Sequence, residues 1–306
     1  MTSSADALAL PQAVGWPTWL IKRAPVLVVV SILIVLWYLA AILMNAPMVR
    51  DAFERAETQY AVSDLIAGTL DSERPIVPAP HQVMAQLIDS VFNYPLDSPR
   101  SLAYHAWVTL SATVAGFALG AIFGILLAVL IVHVRTLEKS LLPWVICSQM
   151  VPILAIAPIV IVVLGAIGIR GLLPKSIISA YLCFFPVTIG MVKGLTSPDP
   201  MQLDLMRTWS ANKWQVLWKL RWPASIPFLF ASLKVSVTIS LVGAIVAELP
   251  TGAQAGIGAR LLTGSYYGQT VQIWAALFAA AIIATVLIAL IDAVARLTAW
   301  QMGAAR

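Results

Sequence analysis

The sequence predicts an all-α integral membrane protein with six transmembrane helices. Three observations lead there. Of its 306 residues, 60% are hydrophobic and 11% charged, and the mean hydropathy is +0.89, outside the range of a soluble globule. Apolar runs of about 20 residues recur along the chain, each able to cross ~30 Å of hydrocarbon. Between two of these runs lies one polar stretch, residues 193–227, that carries two helix-start signals.

Residues 1–24 read as a cytoplasmic tail, with Trp16 and Trp19 near the membrane interface ahead of Lys22 and Arg23. Residues 25–44 form the first span, too long for the core of a cleavable signal peptide. Residues 45–105 are a water-facing excursion. Up to Arg100 its acidic residues (Asp51, Glu54, Glu57, Asp64, Asp71, Glu73, Asp89, Asp97) outnumber the basic ones (Arg50, Arg55, Arg74, Arg100), which predicts the periplasmic side. Within it, Val77, Pro78, Ala79 and Pro80 precede an amphipathic helix with Met84, Leu87, Ile88 and Val91 on one face.

Residues 106–298 hold five further spans. The second, 106–132, carries Gly116, Gly120 and Gly124, a smooth stripe that predicts close helix packing. His133, Arg135, Glu138 and Lys139 then make a charged inner turn. The third span, 141–165, is interrupted by Pro143, Pro152 and Pro158, with Ser148, Gln149 and Met150 beside the middle proline. Either this kinked, polar shoulder lines a path, or the kink is structural and Gln149 bonds a neighbouring helix. An outer turn at 165–175 leads to the fourth span, 176–192. The fifth begins near Pro227 and reaches Ala247, with Lys234 about two turns in and expected to snorkel to the headgroups. Glu248, Gly252, Gly256 and Gly258 follow at its outer end; Glu248 is a functional candidate there, or a helix cap, or a partner for Arg260. The last span, 271–291, leads to a cytoplasmic tail at 299–306, so both termini are inside, in agreement with the excess of Lys and Arg on that side.

The polar stretch is two short helices. Asp199, Pro200 and Gln202 supply an N-cap, a proline at the first helical position and a capping-box partner, which predicts a helix over about 200–209. Asn212 and Gln215 repeat the signal, and Trp214, Leu217 and Trp218 give the second helix one apolar face, with Pro223 ending it. Lys193, Arg207, Lys213, Lys219 and Arg221 outweigh Asp199 and Asp204, so the stretch belongs on the cytoplasmic side, against headgroups or an acidic partner. An ordinary positive-inside loop is the simpler reading.

The spacing of Asp204, Leu205, Met206, Arg207, Ser210, Ala211 and Pro223 resembles the EAA loop of bacterial ABC-importer permeases, in the nitrate/sulfonate/taurine/thiamine-precursor branch. That loop has a Glu-Ala-Ala-x-x-x-Gly core and a later proline. Here Asp204 stands for the glutamate, Leu205 and Met206 for the alanines, and Ser210 for the glycine. Residues 77–80 and the run from Glu248 to Gly258 are similar to elements of the same branch, so the likeness spans about residues 76–262. It implies a type I importer permease of the bacterial cytoplasmic (inner) membrane, working by alternating access. It implies that 193–227 is the coupling loop received by an ATPase subunit, and that Glu248, Gly256 and Gly258 border the outer mouth of the pathway. Implied partners are ABC ATPase subunits, a periplasmic or lipid-anchored substrate-binding protein, and a second permease, identical or related, in membrane lipid.

No energy-converting site is legible in the chain itself. Gly171 to Ser176 holds a Lys-Ser pair but lacks the glycine and spacing of a P-loop, and no catalytic triad or carboxylate pair appears. The resemblance therefore implies a transport subunit that is not an enzyme and has no cofactor of its own, with ATP and Mg held by the ATPase partners. A secondary transporter driven by an ion gradient is the alternative, but the acidic residues avoid the span centres and no hydropathy repeat is seen. A membrane anchor without transport would not need a doubly capped loop. The net charge of +5 does not indicate nucleic acid, since the basic residues are dispersed among apolar runs. Cys147 and Cys183 lie inside apolar runs, and His81, His105 and His133 lie in separate segments, so neither a disulfide framework nor a metal site is expected.

Overall fold

The computed structural model describes residues 18–250 and 255–303, less the side chains of residues 18–23 and 135. Most of the predicted N-terminal tail, the end of the C-terminal one and Gly252 lie outside the described residues. All regular structure among the described residues is helical. The chain divides into two compact units, residues 1–82 and 83–306.

The first unit holds α1 (Thr18–Arg55) and α2 (Val62–Leu70). The first span was expected to end at residue 44, with water-facing chain beyond it. Instead α1 runs on for another three turns. Asn45 explains why: it is wholly buried, its Oδ1 accepts the N–H groups of Ile76 (2.8 Å) and Val77 (3.2 Å), and its Nδ2 donates to the Val77 carbonyl at 2.9 Å. A polar side chain buried in this way needs partners, and here the returning chain supplies them. Trp37 adds a bond from Nε1 to the Pro78 carbonyl at 3.0 Å.

The second unit takes in most of α3 (Pro80–Phe92), then α4 (Leu102–His133), α5 (Arg135–Ser148), α6 (Ile153–Ala166) and α7 (Leu172–Leu195). Next come α8 (Pro200–Thr208), α9 (Lys213–Val216), a π turn (Leu217–Arg221), α10 (Trp222–Ala247), α11 (Ile257–Tyr266) and α12 (Thr270–Gln301). Five described stretches are long and apolar enough to cross a membrane: Ala24–Arg55, Leu102–His133, Leu172–Leu195, Lys213–Ala247 and Thr270–Gln301. The pair α5 and α6 is apolar enough to make a sixth span when its halves are taken together, and it is not the kinked helix expected. The two halves meet at 94°. Of the three prolines only Pro152 lies at the break, where it caps the start of α6 with extended backbone (ψ 116°). Pro143 and Pro158 sit inside α5 and α6.

The core is built by α4, α7 and α10. Gly116, Gly120 and Gly124 lie against α7 so tightly that a Cβ on them would come within 2.4 Å of Ser179 Cβ, 2.8 Å of the Ala180 carbonyl and 2.7 Å of the Phe184 carbonyl. Buried hydroxyls tie the three helices at the same level. Ser179 bonds the Ser240 hydroxyl (2.6 Å), and Ser240 donates to the Thr113 carbonyl at 3.0 Å. Bonds of this kind hold helices together in lipid, where apolar surface alone gives little preference for a neighbour.

Lys234 forms an ion pair with Asp292 of α12. One further expectation is corrected. On α3, Leu87 and Val91 pack inward with Val83, while Met84 and Ile88 are exposed. The helical period permits either face, and the packing partners on α4, α11 and α12 select one.

Candidate functional site

At one end of the second unit the polar stretch folds into the helices its caps predict. Asp199 accepts the Met201 N–H at 2.8 Å, with Pro200 at the first helical position. This is a single N-cap rather than the full capping box expected with Gln202. Asn212 and Gln215 do make the reciprocal box, at 2.8 and 2.9 Å. Pro223 was expected to end this second helix, yet helix continues from Lys213 to Ala247. Ahead of the proline the backbone widens into the π turn, where the Trp222 N–H bonds the Leu217 carbonyl five residues back. That widening accommodates a ring that would otherwise meet the carbonyl of Lys219, four residues earlier.

Between the two helices, Ser210 has φ +51°. Its N–H bonds the Arg207 carbonyl (2.8 Å) and the Ala211 N–H bonds the Met206 carbonyl (3.0 Å), the pattern of a left-handed C-terminal cap that favours glycine. The side chains then divide. Leu217 is buried with Ala128, Met191 and Leu195, and Trp214 stacks on His133 with ring centroids 5.9 Å apart, so the second helix is anchored to α4 and α7. α8 buries no residue. Met201, Leu205 and Trp209, at i, i+4, i+8 spacing, are 79, 53 and 73% exposed, with the Asp204–Arg207 ion pair (2.8 Å) beside them.

At the other end of α10, Glu248 is wholly buried. Its carboxylate accepts from Lys175 Nζ (3.1 Å), the Thr109 hydroxyl (2.9 Å) and the Gly258 N–H (3.0 Å). Lys175 also donates to the Ala255 carbonyl at 2.8 Å. Burial raises the Glu248 carboxyl above the usual carboxylate range, against the opposing pull of Lys175, the Gly258 N–H and Thr109. Gly256 makes the arrangement possible: at φ +128°, a Cβ there would stand 2.0 Å from Glu248 Cδ. His105 completes the cluster, accepting the Gly256 N–H on Nδ1 (2.9 Å) and facing the Pro99 carbonyl with Nε2 (2.9 Å), which places its proton on Nε2. Lys175 also stands in the wall of a cavity of about 650 Å³, with Tyr104, Val108, Ile161, Gly165 and Ala247.

The sequence singled out Glu248, Gly256 and Gly258, and the structure brings them together, but with Lys175 and not Arg260 as the charge partner. Lys175, Thr109 and His105 carried no local signal. Ser148, Gln149, Met150 and Pro152 are elsewhere, at the corner between α5 and α6, while the cavity is lined by the far half of α6. There Ser148 donates to the Val145 carbonyl at 2.7 Å and its own carbonyl accepts from Tyr181; Gln149 Nε2 is buried without a partner, and Met150 is 75% exposed. The helix-to-helix bond considered for Gln149 is therefore not made.

Residues 120–299, from mid-α4 to α12, match the family described as binding-protein-dependent transport system inner membrane component. The chain belongs to that family. Both the α8 segment and the Glu248 cluster fall within or beside the matched region. The permease is 31% identical over 202 residues to a probable ABC transporter permease protein of Haemophilus influenzae, covering 66% of this chain and 77% of the relative. It is 30% identical over 222 residues to a riboflavin transport system permease protein of Chloroflexus aurantiacus (72% and 79%). It is also 30% identical over 183 residues to a formylaminopyrimidine transport permease protein of Halalkalibacterium halodurans (60% and 68%). It is an ABC importer permease of the branch these relatives share, and a multi-pass membrane protein.

Proposed function

We propose that this permease forms the translocation pathway for a small solute, that a periplasmic or lipid-anchored binding protein delivers the solute, and that separate ATPase subunits drive transport by docking on α8. The observation that carries the reading is the stripe of Met201, Leu205 and Trp209 on a helix that buries none of its own residues. An apolar stripe on an exposed helix capped at both ends suits insertion into a cleft of a partner protein.

In this reading both termini and α8 are cytoplasmic, and the Glu248 cluster lies toward the periplasm. ATP and Mg are bound by the ATPase subunits. Their closure pushes α8, and the rigid connection through Leu217 and the π turn carries the motion into α10. A second permease, identical or related, completes the pathway. Asp204, Leu205, Met206, Arg207, Ser210, Ala211 and Pro223 form the coupling face and its supports. For the solute we favour the heteroaromatic class, which the names of the formylaminopyrimidine and riboflavin relatives carry.

The test is to express the chain with its genomic neighbours, purify it in mild detergent, and count subunits by native mass spectrometry. Two ATPase subunits for each pair of permeases is the expected result. Recovery of this chain alone, under conditions that keep a known importer intact, would refute the reading and favour a gradient-driven carrier.

A further inference from the structure

A second cavity, of about 460 Å³, opens among α3, the turn that follows it, α11 and α12. Its walls include Tyr94, Arg100, Arg260, Tyr267 and Gln272, and no carboxylate. Neither arginine belongs to an ion pair among the described residues. Arg260 spends one N–H on the Arg100 carbonyl, at 3.3 Å, while its Nε is buried with no partner. Burial holds the Arg260 guanidinium below its ordinary pKa, with Tyr94 opposing. Gln272 Oε1 is buried without a partner as well.

These two orphans ask for different things. A partly desolvated guanidinium N–H needs an acceptor, best a charged one, and a buried amide oxygen needs a donor. A small group that carries both an oxyanion and a hydroxyl answers both once the two side chains turn their buried atoms toward the cavity. The position fits a headgroup: Arg100 lies two residues before α4 and Gln272 in the first turn of α12, where two membrane-spanning helices begin.

We infer that this cavity binds a hydroxylated phosphate, either a phosphoglycerol lipid headgroup or free hydrogen phosphate, with Arg260 holding the phosphate and Gln272 accepting from the hydroxyl. The site does not depend on where the ATPase docks.

The experiment follows thermal unfolding of the purified full-length chain in mild detergent with four additives: phosphatidylglycerol, phosphatidylmethanol, phosphatidylcholine and inorganic phosphate. Phosphatidylglycerol raises the unfolding midpoint. Phosphatidylmethanol, anionic but without the glycerol hydroxyls, acts more weakly, and phosphatidylcholine has no effect. If inorganic phosphate alone reproduces the full shift, the source is the free anion; otherwise it is the lipid. Arg260→Gln weakens the phosphatidylglycerol response about tenfold in concentration, and Arg296→Gln, far along α12, leaves it intact. Gln272→Leu removes the preference for phosphatidylglycerol over phosphatidylmethanol, and decides the matter if Arg260→Gln fails to fold. Equal responses to phosphatidylglycerol and phosphatidylcholine, or wild-type preferences in the folded variants, would overturn the assignment.

Discussion

Lys175 and Glu248, 73 residues apart in the chain, form an ion pair at 3.1 Å, with the Glu248 side chain fully buried and the Lys175 side chain 13% exposed. The pair joins the start of α7 to the end of α10. Glu248→Ala strands Lys175 and the Thr109 hydroxyl, a loss on the order of 3–5 kcal/mol for a broken buried pair. Glu248→Gln keeps the Thr109 bond and loses less. Unfolding midpoints in detergent should rank wild type above Gln above Ala, and an Ala variant as stable as wild type would show that the pair contributes nothing.

Ser210 carries a left-handed backbone that a side chain disfavours. Ser210→Gly should stabilise the α8 cap by about 1 kcal/mol, and a β-branched Ser210→Val should loosen it. Hydrogen exchange of residues 199–222 reads the effect where it arises: slower for the glycine variant, faster for the valine.

The α4 glycines differ from others in the protein in a way that can be measured. A methyl on Gly116 would meet Ser179 Cβ at 2.4 Å and the Ser176 carbonyl at 2.7 Å, whereas one on Gly165 would meet nothing within 4 Å. Gly116→Ala should therefore cost about 1–3 kcal/mol through overpacking and lower folded yield. Gly165→Ala should fold as wild type, which separates close packing from a general intolerance of substitution.

Lys234 and Asp292 link α10 to α12. Each single reversal, Lys234→Asp or Asp292→Lys, places like charges together and should destabilise, and the double reversal should recover most of the loss. A coupling of about 1 kcal/mol or more in the double-mutant cycle is expected; strictly additive losses would mean the two side chains act independently.

What was legible in the sequence was local. Caps at Asp199 and Asn212 rest on chemistry within four residues, and composition alone identifies the membrane class. What was not legible depended on distant partners. Asn45 looks like the first residue of a water-facing loop until Ile76 and Val77 return to bind it, which is why α1 outruns its predicted end. Glu248 could be singled out, but neither Lys175 nor Thr109 announces itself, because a lysine or threonine at a span edge has many ordinary uses. Pro223 is the exception: it reads as a stop signal, and the π turn just ahead of it, a local one-residue shift of hydrogen-bond register, lets the helix pass through it.

Docking of the ATPase on α8 can be read out by reconstitution. The permease, its ATPase and its binding protein would be placed in proteoliposomes, and ATP hydrolysis and solute uptake measured together. The comparison is between wild type, Leu205→Asp, Asp204→Lys and a deletion of residues 208–212. All three variants should insert in the membrane while uptake is lost and hydrolysis no longer responds to the loaded binding protein. Wild-type uptake and stimulation in all three variants would contradict docking on α8.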